Sequence, residues 1–417
     1  MKILLIYHQH LYKNASTISE HVESFEKYIN HNVLKTNTEL GFPKKLSNIE
    51  FDVIILHYSL FGRGAIYELN DNYVNYIKNS KAYKVAFFQD EYHFCQKRFS
   101  FLNDCKIDSV YTLLDPKYYD ETYYKYTNVK SVYLTLTGYV DKKHIDIGKF
   151  FYKPYNERTI DISYRARELP YYMGKEAQEK VDIAKEFIKR LEKRDLKINI
   201  DYTESSRLYG DEWYKLIANS KVVIGVEAGV SIFDIDGRAQ ETYENFIKNN
   251  PKATKEEIFK VLEPWEGKMY YRTISPRVFE AASFKVLQVL FEGEYQGILK
   301  PMVHYIPLKK DFLNFEEVLT MIKDETLVNK IIDNAYNDLI LSGKYSYQSF
   351  IEEFEKTLPS VEQSVCEYSK NEILLLINKD LNFRYQLAKL KSFRYRQFIG
   401  RKYLVKIVKY VLKLVRK

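Results

Sequence analysis

Apolar residues in the first third of the chain come in short unbroken runs rather than in alternation with polar ones: Lys2–Tyr7, Phe51–His57, Tyr83–Gln89, Ser109–Leu114 and Val129–Leu136. Runs of this kind belong to strands covered on both faces, as in a parallel sheet. Helical periodicity over Ser19–Ile29 and Tyr73–Asn79 falls between them. Strands alternating with helices predict a doubly wound α/β domain over residues 1–150, with its ligands at the carboxyl ends of the strands. The pattern loosens over Gly148–Arg158, which reads as a linker. It resumes with strand Ile160–Tyr164, helix Ala177–Lys193, strand Lys197–Tyr202, helix Asp211–Asn219 and strand Val222–Val226. A second Rossmann-like domain is therefore expected over 158–345. Arg238–Leu262 reads as a helical insertion, and Phe315–Asp324, Glu325–Leu341 and Tyr347–Leu358 read as helices.

Charge changes the picture at one end. The net charge of +8 over 417 residues conceals a body of −4 and a segment, 379–417, of +12. Within that segment Leu404, Val408, Val411 and Val415 recur at helical spacing, opposite Lys402, Lys406, Lys409 and Lys413. A basic amphipathic helix of this kind is suited to lie on an anionic membrane surface. Packing on the body or on a second subunit is the competing expectation, and nucleic acid is not an expected partner. Three cysteines, Cys95, Cys105 and Cys366, have no metal-ligand spacing and fit a reducing compartment. The opening MKILLIYHQH is too short in apolar residues for a signal peptide and reads as a first strand. No run approaches the ~18–20 apolar residues of a membrane span. The expected location is cytoplasmic, peripheral on the inner face of the membrane.

The stretch Tyr270–Asp311 carries the most chemistry. Ser275 is a good N-cap, Pro276 fits the first helical position, and Arg277 and Glu280 share a face of the opening turn. An open helix N-terminus beside an arginine attracts a diphosphate, and a carboxylate one turn on can accept from a ribose diol. Ser275, Arg277, Phe279, Glu280 and Ala281 form an S-x-R-x-F-E-A pattern. It resembles the C-terminal signature of GT-B glycosyltransferases of the "glycosyl transferases group 1" type, in the branch of CgeB-like, spore-maturation-protein-like sequences. The resemblance extends over residues 158–358. It implies two Rossmann-like domains facing a cleft, a nucleotide-sugar donor, a glycan acceptor, no metal and no other cofactor. It also implies a final helix, within 346–360, that crosses back to the first domain. Two positions depart from the pattern: Arg272 stands where many relatives have a first glutamate, and Phe284-Lys285 where they close the helix with glycine. The retaining mechanism of the E-x7-E families is thus not carried over.

Further candidates follow strand ends. Arg165 and Arg167 follow the first strand of the second domain, where guanidinium forks match phosphate oxygens. Glu227, Gly229 and Ser231 lie in the loop Val226–Gly237, and glycine there permits close backbone approach. Asp234 and Asp236 look like a D-x-D metal motif but read better as a turn and a helix cap. In the first domain a buried strand ends in Gln89, Asp90, Glu91 and His93. Asp90, then His93 or Glu91, is the expected base for an acceptor hydroxyl. His8, His10 and His57 also end strands; no Cys or Asp joins them at zinc-ligand spacing, so no metal is expected. Tyr305 and Asp311 are weaker candidates for closing under the base and ribose. The expected activity is transfer of a sugar to a hydroxyl of a surface glycan, one carried on lipid. A nucleotide-sugar epimerase or hydrolase and a non-catalytic scaffold are the alternatives.

Overall fold

The computed structural model describes residues 1–10, 16–62, 67–92, 94–360, 363–377, 380–387 and 389–390. Its first half runs β1 (Lys2–Tyr7), α1 (Ser16–Tyr28), β2 (Asn32–Asn37), β3 (Val53–Leu56), α2 (Asp71–Asn79), β4 (Tyr83–Phe87), α3 (Cys95–Asp104), β5 (Ser109–Thr112), α4 (Tyr123–Tyr126) and β6 (Ser131–Leu134). Helix α5 (Lys142–Phe151) leads into β7 (Ile160–Arg165), α6 (Lys175–Leu191), β8 (Ile198–Asp201), α7 (Asp211–Ala218), β9 (Ser220–Gly225), β10 (Ala228–Val230), α8 (Arg238–Asn249) and α9 (Lys255–Leu262). The chain continues with β11 (Tyr271–Thr273), α10 (Pro276–Ser283), β12 (Leu287–Phe291), β13 (Ile306–Leu308), α11 (Phe315–Met321), α12 (Glu325–Ala335) and α13 (Tyr347–Thr357).

The predicted pair of Rossmann-like domains is the observed one. The first sheet has the order β2-β1-β3-β4-β5-β6 and the second β13-β12-β9-β7-β8. Every pairing within them is parallel. The strands are buried on both faces because helices cover both: Leu4, Ile54 and Ala86 pack to one side, Ile3, Ile55 and Val85 to the other. The order of each sheet reverses once, between β1 and β3 in the first and between β7 and β9 in the second. Crevices for ligands open at such reversals, outside the carboxyl ends of the strands.

Helix α5 packs on α7 and α10, so it sits with the second domain; the expected linker at Gly148–Arg158 is the end of that helix and a short turn. Helix α13 returns to the first domain. It packs on α1, and Tyr347, Phe350, Ile351 and Phe354 are buried beside Ile3, Leu5, Phe25 and Phe87. Beyond it, Ser364 Oγ and Val365 N donate to Asp52 at 2.6 and 2.7 Å, and Cys366, Ile373 and Ile377 enter the first domain's core. Residues 380–387 are helical and Arg384 pairs with Asp380 at 2.8 Å. Most of the basic amphipathic segment, 391–417, lies outside the described residues. No helix among the described residues is long and apolar enough to cross a membrane.

The domains meet through the antiparallel pair β10–β11. Gly229 has φ +108, and a Cβ there would stand 1.8 Å from Tyr271 O. Its glycine is required by strand pairing and not by a ligand, which corrects the expectation for this position. Tyr271 is fully buried and donates to Glu91 Oε2 at 2.6 Å across the domain boundary. Thr112 and Tyr123 donate to Oε1 of the same carboxyl, Tyr123 at 2.8 Å. Glu91 is 1 % exposed and therefore is not the acceptor base; its three hydroxyl partners hold it in the core. Apolar neighbours Phe233, Val230 and Met173 extend the first domain's core across the same junction.

Tyr271→Phe removes one donor from a buried carboxyl and should lower stability by about 1–3 kcal/mol, read as a lower urea midpoint. Burial raises the Glu91 pKa above its ordinary value. The folded state then binds the proton more tightly, and the stability this supplies is complete below the unfolded value and lost as pH rises through the native one. The stability of the wild type relative to Glu91→Gln should accordingly fall with rising pH over that window, followed by urea unfolding at a series of pH values.

Candidate functional site

The reversal point of the second sheet brings together the ends of β7 and β9 and the start of α10. The local sequence explains each. Strand β7 ends at Arg165, and the chain leaves through Ala166 and Arg167; β9 ends at Gly225. Ser275 Oγ accepts from Arg277 N at 3.4 Å, Ser275 O accepts from Val278 N at 3.0 Å and Pro276 has no N–H, so Ser275 caps the first turn of α10. These elements enclose a cavity of about 320 Å³. Arg165, Arg167, Ser275 and Arg277 all line it.

The lining mixes two chemistries: apolar and aromatic Leu208, Tyr209, Trp213, Ile217 and Val278, and cationic Arg165, Arg167, Lys180, Arg207 and Arg277. The cations are not equivalent. Arg165 turns onto the neighbouring strand, donating to Tyr164 O and Asn199 O at 2.8 Å and to Asn199 Oδ1 at 2.7 Å. Arg277 donates to Arg165 O and lies over the Trp213 ring at 4.9 Å. Arg207 pairs with Glu204 at 2.7 Å. Arg167 and Lys180 make no hydrogen bond or ion pair with a described residue, so their charge faces the cavity.

Lys180 was not anticipated. Its pKa is pushed down to about 8, first by burial and then by Arg277 and Arg272, with Asp90 acting in the opposite sense from across the cleft. The signal was present in the sequence: on α6, Lys180 shares a stripe with the buried Ala177, Ala184 and Phe187. A lysine on the apolar stripe of a helix is costly unless an anion visits it. Trp213 and Tyr209 were missed as well, since nothing in their local sequence marks them.

The remaining candidates separate. Glu280 does not line this cavity. Its Oε2 accepts from Trp213 Nε1 at 2.9 Å, and it borders a recess of about 10 Å³ with Thr17, Glu20 and His144. Glu227 is buried, with its pKa raised by burial against the nearby Arg272. It accepts from Tyr295 N at 2.6 Å and lines a second cavity of about 400 Å³ between the domains. Its chain neighbours Val226 and Ala228 line the first cavity, so one strand end separates the two. Arg272 lies 2.7 Å from Glu179, 3.3 Å from Glu176 and 3.6 Å from Glu227. Ser231 is fully buried and accepts from Glu176 N at 3.2 Å, capping α6. That is a structural role and corrects the expected ligand contact. Asp234 accepts from Gln240 N and Asp236 from Arg238, the helix cap and turn of the sequence reading. Tyr305 is buried in the core around α10, and Asp311 accepts from Leu313 N in an exposed turn; neither lines a cavity wall described above. Asp90 is exposed on the rim, with Tyr92 Oη 3.2 Å from its carboxylate. His93 lies outside the described residues.

No family model matches the chain, and no curated protein matches it in sequence. Solved structures do. One is a glycosyltransferase from Rickettsia africae, with 11% identity over 85% of this chain and 97% of that one, at a TM-score of 0.48. Another is HepE from Anabaena in complex with UDP, with 11% identity over 87% of this chain and 100% of that one, at a TM-score of 0.47. A third is an alpha-glucosyltransferase in complex with UDP-glucose and DNA, with 12% identity over 85% of this chain and 98% of that one, also at a TM-score of 0.47.

Because the native pKa of Lys180 is depressed, the unfolded chain binds more protons between about 8 and the ordinary lysine value, and stability rises with pH across that window. Below it the charged lysine opposes folding in full. Lys180→Met should therefore stabilise the ligand-free protein at pH 7 by on the order of 1 kcal/mol, with the gain shrinking towards pH 10. Paired denaturant titrations at the two pH values test this.

Proposed function

We propose that the protein is a glycosyltransferase that takes a sugar from a nucleotide-linked donor and passes it to a hydroxyl of a surface glycan. The observation that carries this reading is the cavity at the reversal point of the second sheet, where aromatic and cationic side chains meet the N-terminus of α10. Aromatic rings, guanidinium groups and the positive end of a helix dipole are together complementary to a nucleoside diphosphate. The base would lie along Trp213 and Tyr209. Arg167, Lys180 and Arg277 would hold the diphosphate. Arg165 acts through its carbonyl, which orients Arg277.

As the glycosidic bond breaks, charge grows on the departing diphosphate. Donors already aimed at that charge stabilise it without reorganisation, and here cationic side chains take the part a metal plays elsewhere. Bound phosphate would also hold Lys180 in its charged form. Glu280 reaches the ribose diol in this scheme by exchanging its bond to Trp213. Asp90, facing Lys180 across the cleft, is the candidate base for the acceptor hydroxyl, with His93 beside it in sequence. The second cavity, with Glu227, Arg272 and Gln296, offers polar groups on the acceptor side.

Residues 379–417 are proposed to dock on an anionic membrane, which fits an acceptor carried on lipid. Phe383 and Leu390 are 66% and 59% exposed on the described part of this segment, an apolar face without cover among the described residues. Deleting 379–417 leaves Ile373 and Ile377 in the core. It should abolish sedimentation with anionic vesicles at unchanged thermal stability; equal sedimentation of the shortened chain would overturn docking.

The donor site is tested by thermal shift with UDP, GDP, TDP, CDP and CMP. A ligand bound only by the folded state stabilises it by about 2.7 kcal/mol at roughly 100-fold excess over Kd. One nucleoside diphosphate should raise the melting temperature of the wild type, and Arg277→Ala and Glu280→Ala should each reduce the shift. No shift with any of them at saturating concentration would overturn the proposal.

A further inference from the structure

The first sheet has its own reversal point, between β1 and β3, and the transferase reading leaves it without a role. The chain leaving β1 carries His8 and His10, and the chain leaving β2 carries Thr38 and Glu39. Asn37 ties these two exits together. Its Oδ1 accepts from Gln9 N at 3.0 Å and from Glu39 N at 3.1 Å, and its Nδ2 donates to Gln9 O at 2.7 Å. One amide side chain thus fixes the backbone between the two histidines against the backbone of the glutamate.

The side chains converge above that clamp. His10 Nδ1 stands 3.2 Å and His8 Nε2 3.9 Å from Glu39 Oε2, and the three ligand atoms lie within 4.8 Å of one another. The His8 and His10 rings meet edge to face at 4.8 Å between centroids. Thr38 Oγ1 lies 2.9 Å from His8 Nδ1, and His8 N donates to Ser59 Oγ at 2.9 Å. Donation from His8 Nδ1–H to the threonine hydroxyl would orient Nε2 as the ligand atom, as an outer partner does for a metal-bound imidazole. Ligands on a tetrahedral zinc ion stand about 3.3 Å apart, so the observed separations close with small rotations. In sequence these histidines had no third ligand at metal spacing. The parallel pairing of β1 with β2 supplies one from 29 residues further on.

We propose that His8, His10 and Glu39 form a site for a divalent transition metal of the zinc class. Two imidazoles and one carboxylate leave a coordination position open. The three residues lie past the carboxyl ends of β1 and β2, beside the reversal point at which doubly wound sheets bind small ligands. A water or sugar hydroxyl taken up there meets a Lewis acid on the first-domain side of the cleft, independent of the cationic site for the diphosphate.

The test uses full-length protein freed of metal with a chelator and dialysed, titrated with Zn2+ by calorimetry and with Co2+ by visible absorption. One equivalent of each should bind, with the intense visible bands of low-symmetry Co2+. His10→Ala and Glu39→Gln should each weaken Zn2+ binding roughly tenfold or more and abolish those bands. Both side chains are partly exposed, and an unchanged melting temperature in chelator verifies that the variants fold. Absence of binding by the wild type, or equal affinity in both variants, would overturn the site and leave His8 and His10 as ion-pair partners of Glu39.

Discussion

A carboxyl group that never sees solvent sets the geometry of the cleft. Glu91 leaves the end of β4 and turns into the core, where hydroxyls from β5, α4 and β11 converge on it. The first two belong to one domain and the third to the other. Strand β11 continues directly through Ile274, whose carbonyl accepts from Thr137 at 2.7 Å, into Ser275 and the N-terminus of α10. The position of Arg277 relative to the first domain is therefore determined a few residues away, by hydrogen bonds that no ligand touches. The neighbouring Asp90 is exposed while Glu91 is buried, both in the turn that follows β4.

The cleft is built from charges that disagree with one another. Lys180, Arg167, Arg277 and Arg272 lie on one side, and burial together with repulsion from the three arginines holds the Lys180 pKa down. Only part of this is relieved internally, by Glu176, Glu179 and Glu227 around Arg272 and Lys310. The departure at Arg272 is thus absorbed by a local ion network. The cations nearer α10 have no such network, which is the usual sign of a site waiting for an anion.

Much of the architecture was legible because long apolar runs and helix caps are local signals. Strand β1 and the cap at Ser275 lie where the sequence placed them, while β4 ends two residues earlier than its apolar run and β7 one residue later. Strand β2 was missed because an edge strand needs only one covered side, and NVLKTN mixes polar with apolar positions accordingly. The three-residue strands β10 and β11 are too short to produce a pattern. At the site, residue type was informative and direction was not. Gly229 was correctly marked as a place of close approach, but what approaches is Tyr271 from a distant strand. Glu91 and Glu280 are acidic for reasons that depend on Tyr271 and Trp213, and no spacing in the chain announces those partners.

The return of the chain to its starting domain has a consequence for how the molecule is made. During synthesis the first sheet emerges early, yet one face of it is covered only in part, by α1, until Tyr347, Phe350, Ile351 and Phe354 arrive, and its other core lacks Cys366, Ile373 and Ile377 for longer still. The second sheet needs only residues that are already present by then. On a ribosome that releases the chain from its N-terminus, the later domain can close first and the earlier one must wait. The exposed apolar surface of the waiting domain is the natural place for a chaperone to bind, and completion of its fold is timed by the arrival of residues 347–377.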